Sequence, residues 1–274
     1  MAVGPMNSTC TTPYLKLIII LPFPSKNVFL TLHPLHLPSN LCSLFPKFQT
    51  TFGASLIFHF CSSSAGNFAS NNSCELNLNN LLGNLYNQTP PQGFGLISVG
   101  ISPNQAYGLS LCRGDVSATD CQTCVNEASS EIPHPCPYNK GAIIWYDNCL
   151  LKYLNTDFFH QIDNQNQFSL WNPQNASNTT TFTNQTRELL SLLATEATLT
   201  PKLYAVGELD YAVGGSYKLY GLVQCTRDLS SNDCFKCLDG IIGELPDCCN
   251  GKVGGRVATG RCNIRNEIYP FFSF

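Results

Sequence analysis

The sequence predicts an α+β protein of two tandem domains, each with two helices packed on an antiparallel sheet and stapled by disulfides. Three observations lead there: cysteines that recur at a fixed spacing, apolar stripes of helical period, and short apolar or β-branched runs of strand length. Cys112, Cys121, Cys124, Cys136 and Cys149 return as Cys225, Cys234, Cys237, Cys249 and Cys262, every pair 113 residues apart. Five positions sharing one offset mark a tandem duplication. Their neighbours repeat as well: Tyr107-Gly108-Leu109 matches Tyr220-Gly221-Leu222, Asp120 matches Asp233, and Gly141 matches Gly254.

Upstream the offset becomes 108, which carries Leu81, Leu82 and Leu85 onto Leu189, Leu190 and Leu193. A longer loop in the second copy accounts for the change, since loops tolerate insertions. The domains are therefore placed at residues 56–155 and 167–272, joined by the polar stretch 157–167. In the first copy Leu78, Leu81, Leu82 and Leu85 keep the i, i+3, i+4, i+7 spacing of one helical face. A second helix is predicted over Ala118 to Ile132, after the turn-like Arg113-Gly114-Asp115, with Thr119 as N-cap and Pro133 as stop. Ala106 to Leu111, Ala142 to Tyr146 and Leu150 to Leu154 read as strands. Two helices on such a sheet give each element a face to bury.

Residues 1–55 read as an atypical leader or signal region. Leu15 to Phe23 is a short apolar run behind Lys16, interrupted by Pro22 and Pro24 and without a small-x-small cleavage site. Val28 to Leu37 is also too short and too broken by proline to span a bilayer. No later run has membrane-spanning length, so no membrane span is expected. Composition points outside the cell. The 274 residues carry a net charge of −3 with only 12% charged side chains, which excludes a basic field for nucleic acid. Fifteen cysteines point to an oxidising compartment. Asn71, Asn87, Asn175, Asn178 and Asn184 each open an Asn-x-Ser/Thr triplet, as does Asn7 in the leader. The stretch from Asn175 to Thr186, free of cysteine, reads as an exposed glycosylated connector.

The shared core pattern is C-x8-C-x2-C. A C-x2-C pair serves zinc, thiol redox chemistry or structural disulfides. Zinc wants four ligands, and no His accompanies the motif in both copies. A redox pair wants an exposed thiolate in a thioredoxin-like setting, for which there is no cue. Structural disulfides remain, with no metal and no cofactor expected.

With these motifs, Tyr220-Gly221-Leu222-Val223-Gln224-Cys225, Gly141-Ala142-Ile143-Ile144-Trp145-Tyr146 and Arg265-Asn266-Glu267-Ile268-Tyr269-Pro270-Phe271, the sequence resembles a plant family. It is that of the cysteine-rich repeat secretory proteins, built from ginkbilobin-homologous (salt-stress/antifungal) domains. The resemblance spans roughly residues 56 to 272. The same tandem forms the ectodomain of cysteine-rich receptor-like kinases. With neither membrane helix nor kinase before Phe274, the secreted branch fits better. The resemblance implies the bridges Cys61–Cys136, Cys112–Cys121, Cys124–Cys149, Cys225–Cys234 and Cys237–Cys262. In the second copy the offset of 108 carries Cys61 onto Ser169, so Cys249 lacks its partner. Cys248 beside it leaves a vicinal bridge, free thiols or an intermolecular bond open. Cys74 stands where the family has an aromatic.

No catalytic constellation emerges. His33, His36, His59, His134 and His160 do not repeat between copies, and Asp120 and Asp233 read as acidic residues of a helical first turn. Family members of the ginkbilobin type bind mannose through an Asn just after the first cysteine, an Arg seven after the fifth and a Glu five after the sixth. In the first copy these places hold Ser62, Ile143 and Leu154, which implies that the site is lost. In the second copy Arg256 and Glu267 match, while the Asn place is left unaligned. The same two residues are also suited to a salt bridge between neighbouring strands. Trp145, in an apolar strand, is expected in the core; Trp171, in the Asn-rich connector, is expected at the surface.

The sequence thus points to a secreted, extracellular recognition module, not an enzyme, reading mannose-type glycans or extracellular proteins in stress or antifungal defence. The alternative is a secreted structural or interaction module whose domains dock through their sheets or through Cys74. Non-reducing peptide mapping is expected to recover Cys112–Cys121 and Cys225–Cys234 as local bridges. A dominant Cys121–Cys124 pair would instead return the motif to redox chemistry.

Overall fold

Two hairpin-rich halves of nearly identical plan follow one another along the chain. The computed structural model describes residues 55–163, 166–211 and 217–273, so the leader expected over 1–55, with Asn7, His33 and His36, lies outside the described residues except for Ser55. The first half runs β1 (Leu56–Cys61), α1 (Ser73–Gln92), β2 (Phe94–Val99), β3 (Ala106–Cys112), α2 (Ala118–Glu131), β4 (Ala142–Tyr146) and β5 (Cys149–Leu154). The second runs β6 (Phe168–Trp171), α3 (Thr179–Thr198), β7 (Tyr204–Tyr211), β8 (Tyr217–Cys225), α4 (Ser231–Gly243), a short α5 (Leu245–Cys249), β9 (Gly255–Ala258) and β10 (Cys262–Glu267). Each half closes a five-stranded antiparallel sheet, ordered β1-β4-β5-β3-β2 and β6-β9-β10-β8-β7. The α+β expectation of two helices per sheet holds, with α5 added.

Local chemistry explains the helices. Asn72 caps α1 by accepting from the Glu75 amide at 3.0 Å, and Gly93, at φ 74°, ends it in the left-handed conformation that glycine adopts without penalty. Leu78, Leu81, Leu82 and Leu85 are its buried face. The cap of α2 is Ser117 rather than Thr119: its hydroxyl accepts from the Asp120 amide at 3.1 Å and donates to the Asp120 carboxylate at 2.7 Å. Ser230 and Asp233 repeat this pairing on α4. Both aspartates are therefore engaged in capping.

The disulfides explain the cysteine spacing. Cys121 and Cys124 lie three residues apart on one face of α2, and Cys112 and Cys149 are direct partners across β3 and β5. Bridges Cys112–Cys121 and Cys124–Cys149 thus stitch one helix to two adjacent strands. Cys225–Cys234 and Cys237–Cys262 repeat the stitch on β8 and β10. Cys61–Cys136 anchors the edge strand β1 to the loop beyond α2. In the second half Cys248 and Cys249 bond to each other. Cys74 is buried on α1 without a disulfide, so docking through Cys74 does not suit this structure.

The sheet faces that do not carry helices meet each other. Leu109, Leu111, Ile143, Trp145 and Leu150 pack with Phe168 and Ala258 of the other half in an apolar layer between the sheets. Trp145 is 3% exposed, and its indole Nε1 donates to the Thr259 carbonyl at 3.1 Å. Both faces of β4 are consequently buried, which accounts for its unbroken Ala-Ile-Ile-Trp-Tyr. The stretch 157–167, expected as a polar joint, contributes Phe158 to this layer.

Each half also clasps the other through the segment that follows its last strand. The Ser273 amide donates to Asp115 at 2.9 Å, and the His160 amide donates to Asp228 at 2.8 Å. Arg113 lies 2.6 Å from the Asp115 carboxylate, and Arg261 pairs with Asp228. Burial opposes ionisation of both carboxyls, but the guanidiniums and amides outweigh it and hold both below the ordinary carboxylate value of 3.8. The stability these groups contribute is complete above that value and is lost as pH falls through their lower folded values. Thermal melts are therefore expected to be flat from neutrality to about pH 4 and to fall below it, with a shallower acid limb in Asp228→Asn.

Candidate functional site

Strand register sets out the site. Arg256 and Arg265 face each other across β9 and β10, an arrangement that like charges disfavour. Asp147, from the β4–β5 turn of the first half, resolves the conflict. Its Oδ1 lies 3.0 Å from Arg256 Nη1 and 3.2 Å from Arg265 Nη1, and its Oδ2 lies 3.2 Å from Arg113 Nη1. Asn263 adds an amide oxygen 2.9 Å from Arg256 Nε. Burial, with Arg265 and Arg113 nearby, pushes the Arg256 pKa down to about 10, against the pull of Asp147, so it stays charged at neutral pH. Arg265 in turn stacks over the Phe271 ring, 4.2 Å from its centroid.

Glu267, two residues beyond Arg265 on β10, shares its face of the sheet. Its Oε1 is 3.5 Å from Arg265 Nη2, and its Oε2 accepts from Asn172 Nδ2 at 3.3 Å. A side chain at Gly254 would collide with this carboxylate, which gives the Gly254 repeat of Gly141 a physical reason. Arg256 and Glu267 do not bond each other; the cross-strand salt bridge anticipated between them is replaced by the contacts to Asp147 and Asn172. Both line a cleft of about 470 Å³ with Trp171, Asn172, Tyr269 and Asp147. Trp171 is 56% exposed on β6, a strand where a connector was expected.

Register also supplies the missing alignment. Cys61 pairs with Ala142, and Trp171 pairs with Gly255, which is Ala142 moved by 113. The Ser62 amide donates to the Gly141 carbonyl at 2.8 Å, and the Asn172 amide to the Gly254 carbonyl at 2.9 Å. Trp171 therefore takes the place of Cys61, not Ser169, and Asn172 takes that of Ser62. The local offset is 110 (61 to 171), invisible from helix periodicity because the second copy is two residues shorter between β6 and α3. Asn172 and Asp147 are among the cleft residues the sequence did not disclose.

The salt stress response/antifungal family model matches residues 60–156 and 170–269, one match to each half. The chain belongs to that family. It is 54% identical over 215 residues to an antimicrobial ginkbilobin-2-like protein of Castanea crenata, covering 78% of this chain and 88% of that one. Cysteine-rich repeat secretory protein 38 of Arabidopsis thaliana is 52% identical over 217 residues, covering 78% and 85%. Among solved structures, the tandem DUF26 ectodomains of the Arabidopsis cysteine-rich receptor-like proteins PDLP8 and PDLP5 superpose with TM-scores of 0.69 and 0.65. They are 24% and 26% identical, each covering 79% of this chain and all of the other. Salt stress response/antifungal domains are non-catalytic, extracellular, cysteine-rich modules, and this pair is secreted.

Among the described residues no helix is long and apolar enough to cross a membrane, and no group of His, Cys, Asp or Glu is placed to hold a metal. Asn71, Asn87, Asn175, Asn178 and Asn184 are all exposed. Asn178 caps α3, however, so residues 179–186 of the expected 175–186 connector are helix. Asp147→Ala leaves three guanidiniums without their common carboxylate. It is expected to cost about 1–2 kcal/mol in urea melts, moderated because Asp147 is itself partly exposed. Asp147→Asn should fall between the variant and wild type.

Proposed function

We propose that this secreted domain pair is a carbohydrate-recognition module of stress or antifungal defence, taking a mannose-type sugar in the cleft of its second half. The observation that carries the proposal is the convergence of Asn172, Arg256 and Glu267 in one cleft, at the three places through which the resemblance implies mannose binding. The chemistry suits a pyranose. Arg256 and Asn172 donate, Glu267 accepts, and vicinal hydroxyls require both. Trp171 and Tyr269, exposed at the rim, offer rings to an apolar sugar face. Nothing in the cleft pairs a nucleophile with a base, so it is read as binding without catalysis. The antimicrobial name of the Castanea crenata relative agrees with a defence role. The exposed asparagines are read as glycosylation sites.

The Ser62, Ile143 and Leu154 set of the first half cannot reproduce the triad, and Ile143 is buried between the sheets. The second half is thus the one expected to bind mannose. Titration of the oxidised protein with mannose should show binding that Asn172→Ala and Glu267→Gln each weaken by about ten- to a hundredfold. Ser62→Ala, at the equivalent place of the first half, should bind as wild type. Absence of mannose binding by wild type, or equal binding by the cleft variants, would overturn the proposal and turn the search to protein partners.

A further inference from the structure

The two halves enclose a small cavity where their equivalent turns meet. Its volume is about 40 Å³, with Leu111, Asn148 and Leu150 from the first half and Gln224, Arg261 and Asn263 from the second. Each residue of the second set lies 113 positions beyond its counterpart in the first. At every one of these places the second half carries a side chain richer in N–H donors: Gln for Leu, Arg for Asn, and Asn for Leu. The duplicated positions differ in one direction, toward donation.

Charge around the cavity is unequal. Among the described residues of the lining, Arg113, Arg256 and Arg261 bring guanidiniums, and Asp147 brings the one carboxylate. Both oxygens of Asp147 are already taken by Arg113, Arg256 and Arg265. Asp115 and Asp228, which pair with Arg113 and Arg261, lie outside the lining. Arg261 is 1% exposed, and Asp228 engages its Nη2. Its Nε and Nη1 are buried with no hydrogen-bond partner among the described residues. A buried guanidinium edge in that condition is costly, because a charged donor has lost its water. Asn263 adds a further donor: its Oδ1 is committed to Arg256 Nε, which leaves Nδ2.

Size decides what these donors can take. One water needs roughly 10–15 Å³, so the cavity has room for about three, or for a halide with a water beside it. A sugar ring is far too large. Asp147, with its side chain 38% exposed, stands at the margin where an ion would enter. We infer that this cavity binds a halide-sized monovalent anion such as chloride, through the N–H edge of Arg261 and the amides of Asn148 and Asn263. The anion supplies the acceptor that Arg261 lacks and offsets the excess of guanidiniums. Because its ligands come from both halves, it fastens one to the other, a role separate from the sugar reading of the neighbouring cleft.

Thermal melts of the full oxidised chain test this, with sodium chloride replacing sodium gluconate at constant ionic strength. Screening is then equal, and gluconate is too large for the cavity. The melting temperature should rise by about 2–4 °C and saturate with chloride, as a bound ligand requires. Asn148→Asp places a carboxylate in the cavity and should abolish the chloride response. Arg261→Lys keeps the charge but loses the planar edge, and should weaken the apparent chloride affinity about tenfold. Disulfide maps identify folded variants. Wild-type crystals soaked in bromide give a readout free of any substitution, with an anomalous peak expected beside Arg261. Equal melts in chloride and gluconate, or a full chloride response in folded Asn148→Asp, would overturn the inference. So would bromide peaks at the outer surface alone, which mark an adventitious ion only and leave the cavity to water.

Discussion

One covalent stitch organises each half of this protein. Two cysteines three residues apart on a helix face bond to cysteines that sit opposite each other on adjacent strands, so the helix cannot rotate or slide over the sheet. The sheet's helix-bearing face and the reach of the following loop are fixed by the same two bonds. From that loop the chain enters β4, whose end presents Asp147. The halves differ in the third bridge. Cys61–Cys136 closes a loop spanning 75 residues and is worth about 4.5 kcal/mol in the chain-entropy model. Cys248–Cys249 joins neighbours and restrains the unfolded chain far less. What the second half relinquishes in constraint it regains as a free position on β6, and Trp171 occupies it at the lip of the cleft.

The interface between the halves combines an apolar layer with charges at its margin. Trp145, Phe158 and Phe168 supply the buried area, and area of this kind carries most of the stability. The charges act differently. Desolvation consumes most of what Asp147 gains from Arg113, Arg256 and Arg265, so the cluster's main effect is to hold these side chains in one register. Arg256 is thereby oriented before any ligand arrives, and pre-organisation of this sort lowers the ordering cost of binding.

Much of this was legible in the residues. The fold class follows from a constant cysteine offset and a leucine stripe, because duplication and helical burial both leave periodic traces. Strands β3, β4 and β5 could be read because they are apolar and flanked by turns. By contrast, β1 and β2 could not: an edge strand is half exposed, and Leu56 to Cys61 alternates poorly. In the cleft, Arg256 and Glu267 were visible because they keep their distance from cysteines that remain. Asn172 was hidden because its reference cysteine is absent, and only a hydrogen-bond register could restore the alignment. Asp147 was hidden for another reason. Its role arises from the packing of one half on the other, which no local pattern records.

The reciprocal clasps deserve a physical reading of their own. Ser273 reaches Asp115 as His160 reaches Asp228, and within each half the clasping segment is seated by the same edge-on pair, Phe272 on Tyr220 and Phe159 on Tyr107. Every partner in one set is displaced by 113 from its counterpart in the other, which is the signature of an isologous contact, where the same patch is used on both sides. A single-domain ancestor with this surface would have paired with itself as a homodimer. Fusing the two copies made association intramolecular, so the interface forms at high effective concentration however dilute the protein. It also released the halves from identity. In a homodimer any change at this place would have appeared twice; in the fused chain one copy could take serine at 62 while the other kept asparagine at 172, and a symmetric pair became a molecule with two different faces.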